Sequence, residues 1–122
     1  MKKNSLLLLL VLLMFSFSCQ EKVDPLLACG VENPTENLDW LNELIEQLEV
    51  TEFGRTFNYI TEGIFQDQTL FVLQNCCPNC NSVPIFYDCQ GNVFNTAEIS
   101  IADLSEVQLI WKSEFSSCTV GE

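Results

Sequence analysis

Three cysteines within seven residues, Gln74 to Cys80 in "QNCCPNC", constrain this chain more than any other feature. Cys76 and Cys77 are adjacent, and Cys77 and Cys80 have Cys-x-x-Cys spacing. A cluster of this kind serves as a redox device, as part of a metal site, or as a knot of structural disulfides. The compartment in which the chain works separates these readings, because thiols pair in an oxidising environment and stay reduced in the cytosol.

The first residues, "MKKNSLLLLLVLLMFSFSC", place Lys2 and Lys3 before an uncharged apolar run from Leu6 to Phe15, with small residues ahead of Cys19. This is the three-part layout of a bacterial secretory signal. The run is shorter than the roughly 18 to 20 residues of a membrane-spanning helix, so export is expected rather than embedding. Ser18-Cys19 resembles a lipobox, where the cysteine thiol is acylated and the chain is cleaved just before it. Ser16-x-Ser18 also suits an ordinary signal peptidase, which would release a soluble secreted or periplasmic protein. Parity favours the lipid: of seven cysteines, acylation of Cys19 leaves an even set, whereas simple cleavage leaves an odd thiol. An acyl chain holds a protein at a membrane face without a spanning helix. The expected organisation is a signal over 1–18, a lipid-anchored tether over 19–28 and one globular domain over 29–122.

Cleavage before Cys19 leaves Lys22, Arg55 and Lys112 against all 17 acidic residues. That balance repels nucleic acid and favours cationic partners or divalent ions, although solubility alone accounts for it.

Within the domain, Leu38, Leu41, Leu44, Ile45 and Leu48 recur at helical spacing, with Asn42, Glu43, Glu46, Gln47 and Glu49 opposite. The pattern predicts an amphipathic helix whose start is signalled by Asn33-Pro34 or Asn37. Thr56 to Phe65 and Thr69 to Leu73 read as strands joined by a turn at "QDQ", the second apolar on both faces and hence central. Val83 to Cys89 reads as a third strand with Pro84 at its start or on an edge, and Val93-Phe94 begins a fourth after the "QGN" turn. One helical turn over Asp103 to Glu106 and a last strand over Val107 to Lys112 complete the pattern. The expected class is α+β, with one N-terminal amphipathic helix packed on a small antiparallel sheet of four to five strands and stapled by disulfides.

Redox catalysis by Cys77-Pro78-Asn79-Cys80 needs a helix starting at the nucleophilic cysteine to lower its pKa, yet Asn81 to Pro84 read as loop and strand. A zinc site needs four ligands, and the chain has no histidine and one Cys-x-x-Cys pair. Structural disulfides among Cys29, Cys76, Cys77, Cys80, Cys89 and Cys118 are therefore expected, with no metal and no cofactor. These six allow fifteen pairings. Cys80 and Cys89 could close a small loop, while Cys76 and Cys77, pointing to opposite faces of an extended segment, could meet Cys29 and Cys118.

Without histidine, Ser-His-Asp and Cys-His mechanisms are excluded. No pair of carboxylates is preferred as an acid–base pair, and Glu43, Glu46 and Glu49 read as a solvated face. Trp40 and Trp111 read as packed side chains. No catalytic residue is assigned.

The segments "CGVENPTENLDWLNELI", "TLFVLQNCCPNC" and "YDCQGNV" resemble a group of small lipoproteins from Bacteroidota. These carry a Cys-Gly, Asn-Pro and Trp-Leu segment before a helix, a cysteine pair ending a strand, and an Asp-Cys-x-Gly-Asn turn. Asp39 stands where such proteins are expected to have proline. The resemblance implies export and tethering at the outer membrane, and brings no activity with it. The expected function is a lipid-anchored envelope protein acting as a non-catalytic binding or interaction module, with a protein or ligand partner at the envelope and no nucleic acid. The alternatives are a thiol–disulfide exchange enzyme using Cys77 and Cys80, and a secreted hydrolase inhibitor.

Overall fold

A computed structural model describes residues 27–94 and 99–120. Cys19 and the rest of 1–26, on which the signal and lipidation expectations fall, lie outside the described residues. The chain enters through a short hairpin, β1 (Leu27–Ala28) and β2 (Val31–Glu32), turned by Cys29 and Gly30. Three helical segments follow, α1 (Pro34–Asn37), α2 (Asp39–Val50) and α3 (Glu52–Phe57). Four strands then build one antiparallel sheet: β3 (Asn58–Phe65), β4 (Gln68–Asn75), β5 (Ile85–Tyr87) and β6 (Ser105–Lys112), in the order β5-β4-β3-β6. Among the described residues, no helix is long and apolar enough to cross a membrane.

The amphipathic stripe forms α2, and its apolar side lies on the sheet. Leu41 is fully buried against Ile60 and Phe71, with Leu38, Leu44, Ile45 and Leu48 packed around them. Fully burying a side chain of this size is worth about 1.5 to 3 kcal/mol, enough to hold a helix that has no side-chain cap at its start. The strand β4 is central and covered on both faces, as its unbroken apolar run predicts. Phe71 and Leu73 face α2, while Leu70 and Val72 pack with Phe86, Leu104, Phe94, Ile99 and Ile101 on the other face. The β3–β4 hairpin turns through Gln66 and Asp67, both with positive φ. This conformation matches the right-handed twist of the strands it joins.

Several local expectations are corrected. Thr56 and Phe57 end α3 instead of beginning a strand. The Thr51 hydroxyl accepts from the Gly54 N–H at 3.0 Å, and Phe53 and Phe57 pack one helical turn apart with ring centroids 5.3 Å apart. Together the cap and this pair outweigh the strand preference of the two residues. The third strand shrinks to Ile85–Tyr87, an edge strand with Pro84 just before it. Val93-Phe94 forms no strand: Val93 makes a single bridge to Tyr87 and the Phe94 N–H donates to the Phe86 carbonyl at 2.7 Å, while Phe94 packs with the cluster of Leu70 and Val72. The late helical turn is a 3-10 turn over Ile101–Asp103, closed by a reciprocal Ser100–Asp103 capping box, so β6 begins earlier than expected, at Ser105.

Candidate functional site

Every cysteine from Cys29 onward is in a disulfide: Cys29–Cys89, Cys76–Cys118 and Cys77–Cys80. The expected Cys76 or Cys77 link to Cys118 is made by Cys76. The Cys80–Cys89 loop and the link from Cys29 to the adjacent pair are not made. The reason is tertiary: α2 crosses the sheet so that the chain before it reaches the turn after β5, placing Cys29 beside Cys89. Cys77 is then left with the partner three residues on.

Cys77–Cys80 closes a turn that extends from the end of β4, with the Cys80 N–H donating to the Cys77 carbonyl at 3.4 Å. Pro78, Asn79 and Cys80 are exposed, and the chain beyond is irregular up to β5. The helix N-terminus that would lower a thiol pKa is not at this motif.

The Cys29–Cys89 bridge sits in a corner where three of the quoted motifs meet. The Asp88 carboxylate accepts from the Gln90 and Asn92 backbone N–H groups at 2.9 and 3.0 Å, shaping the turn. The Trp40 indole N–H donates to the Cys89 carbonyl at 2.9 Å, and its ring packs edge-on against Phe71 and tilted against Tyr87. Gly91 has φ of 83°, and a methyl group there would stand 2.6 Å from Trp40 Cγ. Trp40 is therefore a packing residue that locks the turn to the helix. Trp111 packs in the same core.

The opposite end of the molecule is pinned by Cys76–Cys118. The Cys76 N–H donates to the Phe57 carbonyl at 3.0 Å, the Ser117 N–H to the Thr56 carbonyl at 2.9 Å, and the Lys112 ammonium to the Cys118 and Val120 carbonyls.

The side chain that stands out chemically is Glu62, which sequence reading passed over. It lies on β3 between Ile60 and Ile64, on the face that α2 covers, opposite Phe71 on β4 and Gln108 on β6. Only 5% of it is exposed. Its Oε1 accepts from the Gln108 Nε2, while its Oε2 is buried and has no hydrogen-bond partner among the described residues. Beside it opens a cavity of about 260 Å³ lined by Glu62, Gly63, Ile64, Thr69, Glu106 and Gln108. A β-bulge brings Glu106 to this rim: the β3–β6 register shifts between Glu62 and Ile64, and Glu106 takes φ of 52°. The alternation Ile60-x-Glu62-x-Ile64 was the available signal, since a carboxylate at that parity must share the apolar face.

Burial raises the Glu62 carboxyl above its ordinary range, and the bond from Gln108 partly offsets that rise. The folded state thus holds this proton to higher pH than the unfolded chain does. Stability from Glu62 is fully present below the ordinary carboxylate range and is lost as pH rises through the folded value. Glu62→Gln is expected to raise stability at neutral pH by on the order of 1 kcal/mol and to flatten its decline from acid to neutral pH. Urea unfolding of both proteins at acid and neutral pH checks this.

On the sheet's other face, Val83, Ile85, Phe86, Val93, Phe94 and Ile101 line an open apolar trough of about 680 Å³. Among the described residues, no group of three or more His, Cys, Asp or Glu side chains is placed to hold a metal ion. No protein-family model, curated protein or solved structure matches this chain.

Proposed function

We propose that this chain is an exported, lipid-anchored protein of the cell envelope whose globular domain is a non-catalytic binding module. The cysteine balance carries the reading. Cys29, Cys76, Cys77, Cys80, Cys89 and Cys118 consume one another in three pairs, so Cys19, the seventh, has no cysteine left to pair with. Acylation gives that thiol a use directly after a secretory signal, and the resemblance to Bacteroidota lipoproteins points to the outer membrane as the place of anchoring. A scaffold stapled at both ends suits a module that must keep one shape outside the cytosol. Its open cavity at Glu62 offers the binding face.

The test has two arms. Radiolabelled palmitate is expected to enter the wild-type chain and not Cys19→Ala, with the variant moving from the membrane to the soluble fraction. Labelling that survives Cys19→Ala would overturn the anchor. In the second arm, the purified protein is expected to show no insulin-reducing turnover. Turnover abolished by Cys77→Ser would replace the binding module with a thiol–disulfide exchange enzyme.

A further inference from the structure

We propose that Cys77–Cys80 is a reducible bridge, a substrate for a protein dithiol, whose opening frees the segment from Pro78 to Pro84 and reshapes one wall of the apolar trough. The bridge is closed in the resting protein and opens on encounter with the dithiol. The inference goes beyond the binding-module reading and is independent of the anchor.

Access sets this bridge apart from the other two. Among the six paired cysteines, Cys80 alone is an exposed residue; Cys118 is buried and the other four are half-buried. Exchange requires a thiolate to reach one sulfur of the bridge, and exposed bridges are the labile ones. Opening it also leaves the fold standing. Cys77 and Cys80 are three residues apart, against 42 and 60 for the other pairs, so this bridge removes the least freedom from the unfolded chain. The other two are built into the body, where the Trp40 indole N–H reaches the Cys89 carbonyl and the Cys76 N–H reaches the Phe57 carbonyl.

The segment that the bridge restrains has little else to hold it. Among the described residues, two hydrogen bonds tie Pro78 to Val83: the Cys80 N–H donates to the Cys77 carbonyl at 3.4 Å, and the Ser82 hydroxyl donates to Asn75 Oδ1 at 3.0 Å. Asn75 Oδ1 also accepts from the Cys77 N–H at 3.3 Å, so a change at Cys77 is felt at Ser82. The segment ends in Val83 and Pro84, which line the trough with Ile85, Phe86 and Ile101. Opening the bridge therefore acts on that wall.

The chemistry is an exchange in two steps. A thiolate of the dithiol bonds to Cys80 Sγ as the Cys77–Cys80 bond breaks, and Cys77 leaves as a thiolate that takes up a proton. The second thiol of the dithiol gives up its proton and attacks the mixed disulfide, and Cys80 leaves and is protonated. One bridge is reduced to two thiols while the dithiol is oxidised to a disulfide. Small thiols are scarce where disulfides persist, which makes a protein dithiol the fitting reductant. The opposite role, with Cys77 as the attacking thiolate of an enzyme, needs the helix N-terminus that this motif lacks.

The full chain, purified in detergent with its bridges closed, is treated with reduced thioredoxin and, in parallel, with dithiothreitol, then quenched with N-ethylmaleimide and mapped by mass spectrometry. Cys77–Cys80 is expected to open about tenfold or more faster than either other bridge with both reductants. Thioredoxin whose resolving cysteine is replaced by serine should be trapped on Cys80. In ¹⁵N-labelled protein, opening should shift the amide resonances of Ser82, Val83, Ile85 and Ile101 while the far-UV circular dichroism is unchanged. The double variant Cys77→Ser, Cys80→Ser should reproduce the shifted spectrum without any reductant. Opening of all three bridges together, opening of another bridge first, opening by dithiothreitol but not by thioredoxin, trapping on Cys77, or unmoved resonances at Val83 and Ile101 would each overturn the proposal. Insulin-reducing turnover instead bears on the binding-module reading, so the two failures are distinguishable.

Discussion

Replacing Cys29 and Cys89 together by alanine is expected to lower the unfolding free energy by about 4 kcal/mol, against about 2 kcal/mol for replacing Cys77 and Cys80. The difference follows from the chain each bridge closes. Cys29 and Cys89 are 60 residues apart, whereas Cys77 and Cys80 are three apart, and a longer closed loop removes more conformational freedom from the unfolded chain. For a domain of ordinary stability, about 5 to 15 kcal/mol, the first loss is a large fraction of the total. It also has a local signature. The bridge holds the turn whose Cys89 carbonyl accepts from the Trp40 indole, so its removal should shift tryptophan fluorescence to the red before global unfolding. Urea titration followed by fluorescence and by far-UV circular dichroism measures both effects. Equal losses from the two double replacements would contradict the assignment of Cys29 to Cys89.

Gly54→Ala is expected to destabilise the domain by about 3 kcal/mol, although an alanine in a helix ordinarily gains about 1 kcal/mol over glycine. The sign reverses because α3 folds back on the end of α2. A methyl group at Gly54 would lie 2.0 Å from the Leu48 carbonyl oxygen and 2.8 Å from the Thr51 hydroxyl that caps the helix. The nearest of these is backbone, so no side-chain rotation relieves the contact. The same junction carries the bond from the Arg55 guanidinium to the Glu49 carbonyl at 2.6 Å, and moving α3 outward would break it. Thermal or urea unfolding of Gly54→Ala checks the sign, and a gain in stability would show that the two helices are not packed this closely.

The parts of the fold legible in the sequence are those set by local periodicity. Leu38, Leu41, Leu44, Ile45 and Leu48 define the face of α2 that is buried, and the run from Leu70 to Leu73 marks a strand covered on both faces. Where a residue's role depends on what arrives from elsewhere, local pattern is not enough. Thr56 and Phe57 look like strand residues until Thr51 and Gly54 are seen to cap a helix through them. Val93 and Phe94 are strand-forming residues, yet Phe94 is spent, with Ile99 and Ile101, on covering Leu70 and Val72.

The cysteine pairing shows the same division. A link from Cys118 to one of the adjacent pair follows from their opposite-facing side chains, and it is Cys76 that makes it. Cys29 meeting Cys89 requires knowing that the hairpin ahead of α1 lies beside the turn after β5, a contact made through Trp40 and Gly91 that no spacing rule contains. Glu62 is an intermediate case. Its parity with Ile60 and Ile64 was visible, but its unpartnered oxygen and the approach of Glu106 depend on a bulge in β6, which leaves no mark in an alternation pattern.

Six cysteines close the domain in three pairs, and we propose that Cys19, the seventh, carries the anchor. Non-reducing peptide mapping by mass spectrometry of the protein isolated from its own cell envelope tests it most directly, with electron-transfer fragmentation to separate the adjacent Cys76 and Cys77. The expected result is Cys29 linked to Cys89, Cys76 to Cys118 and Cys77 to Cys80, with Cys19 recovered as an acylated N-terminal residue. A disulfide that includes Cys19, or a free thiol at any of the other six, would contradict it.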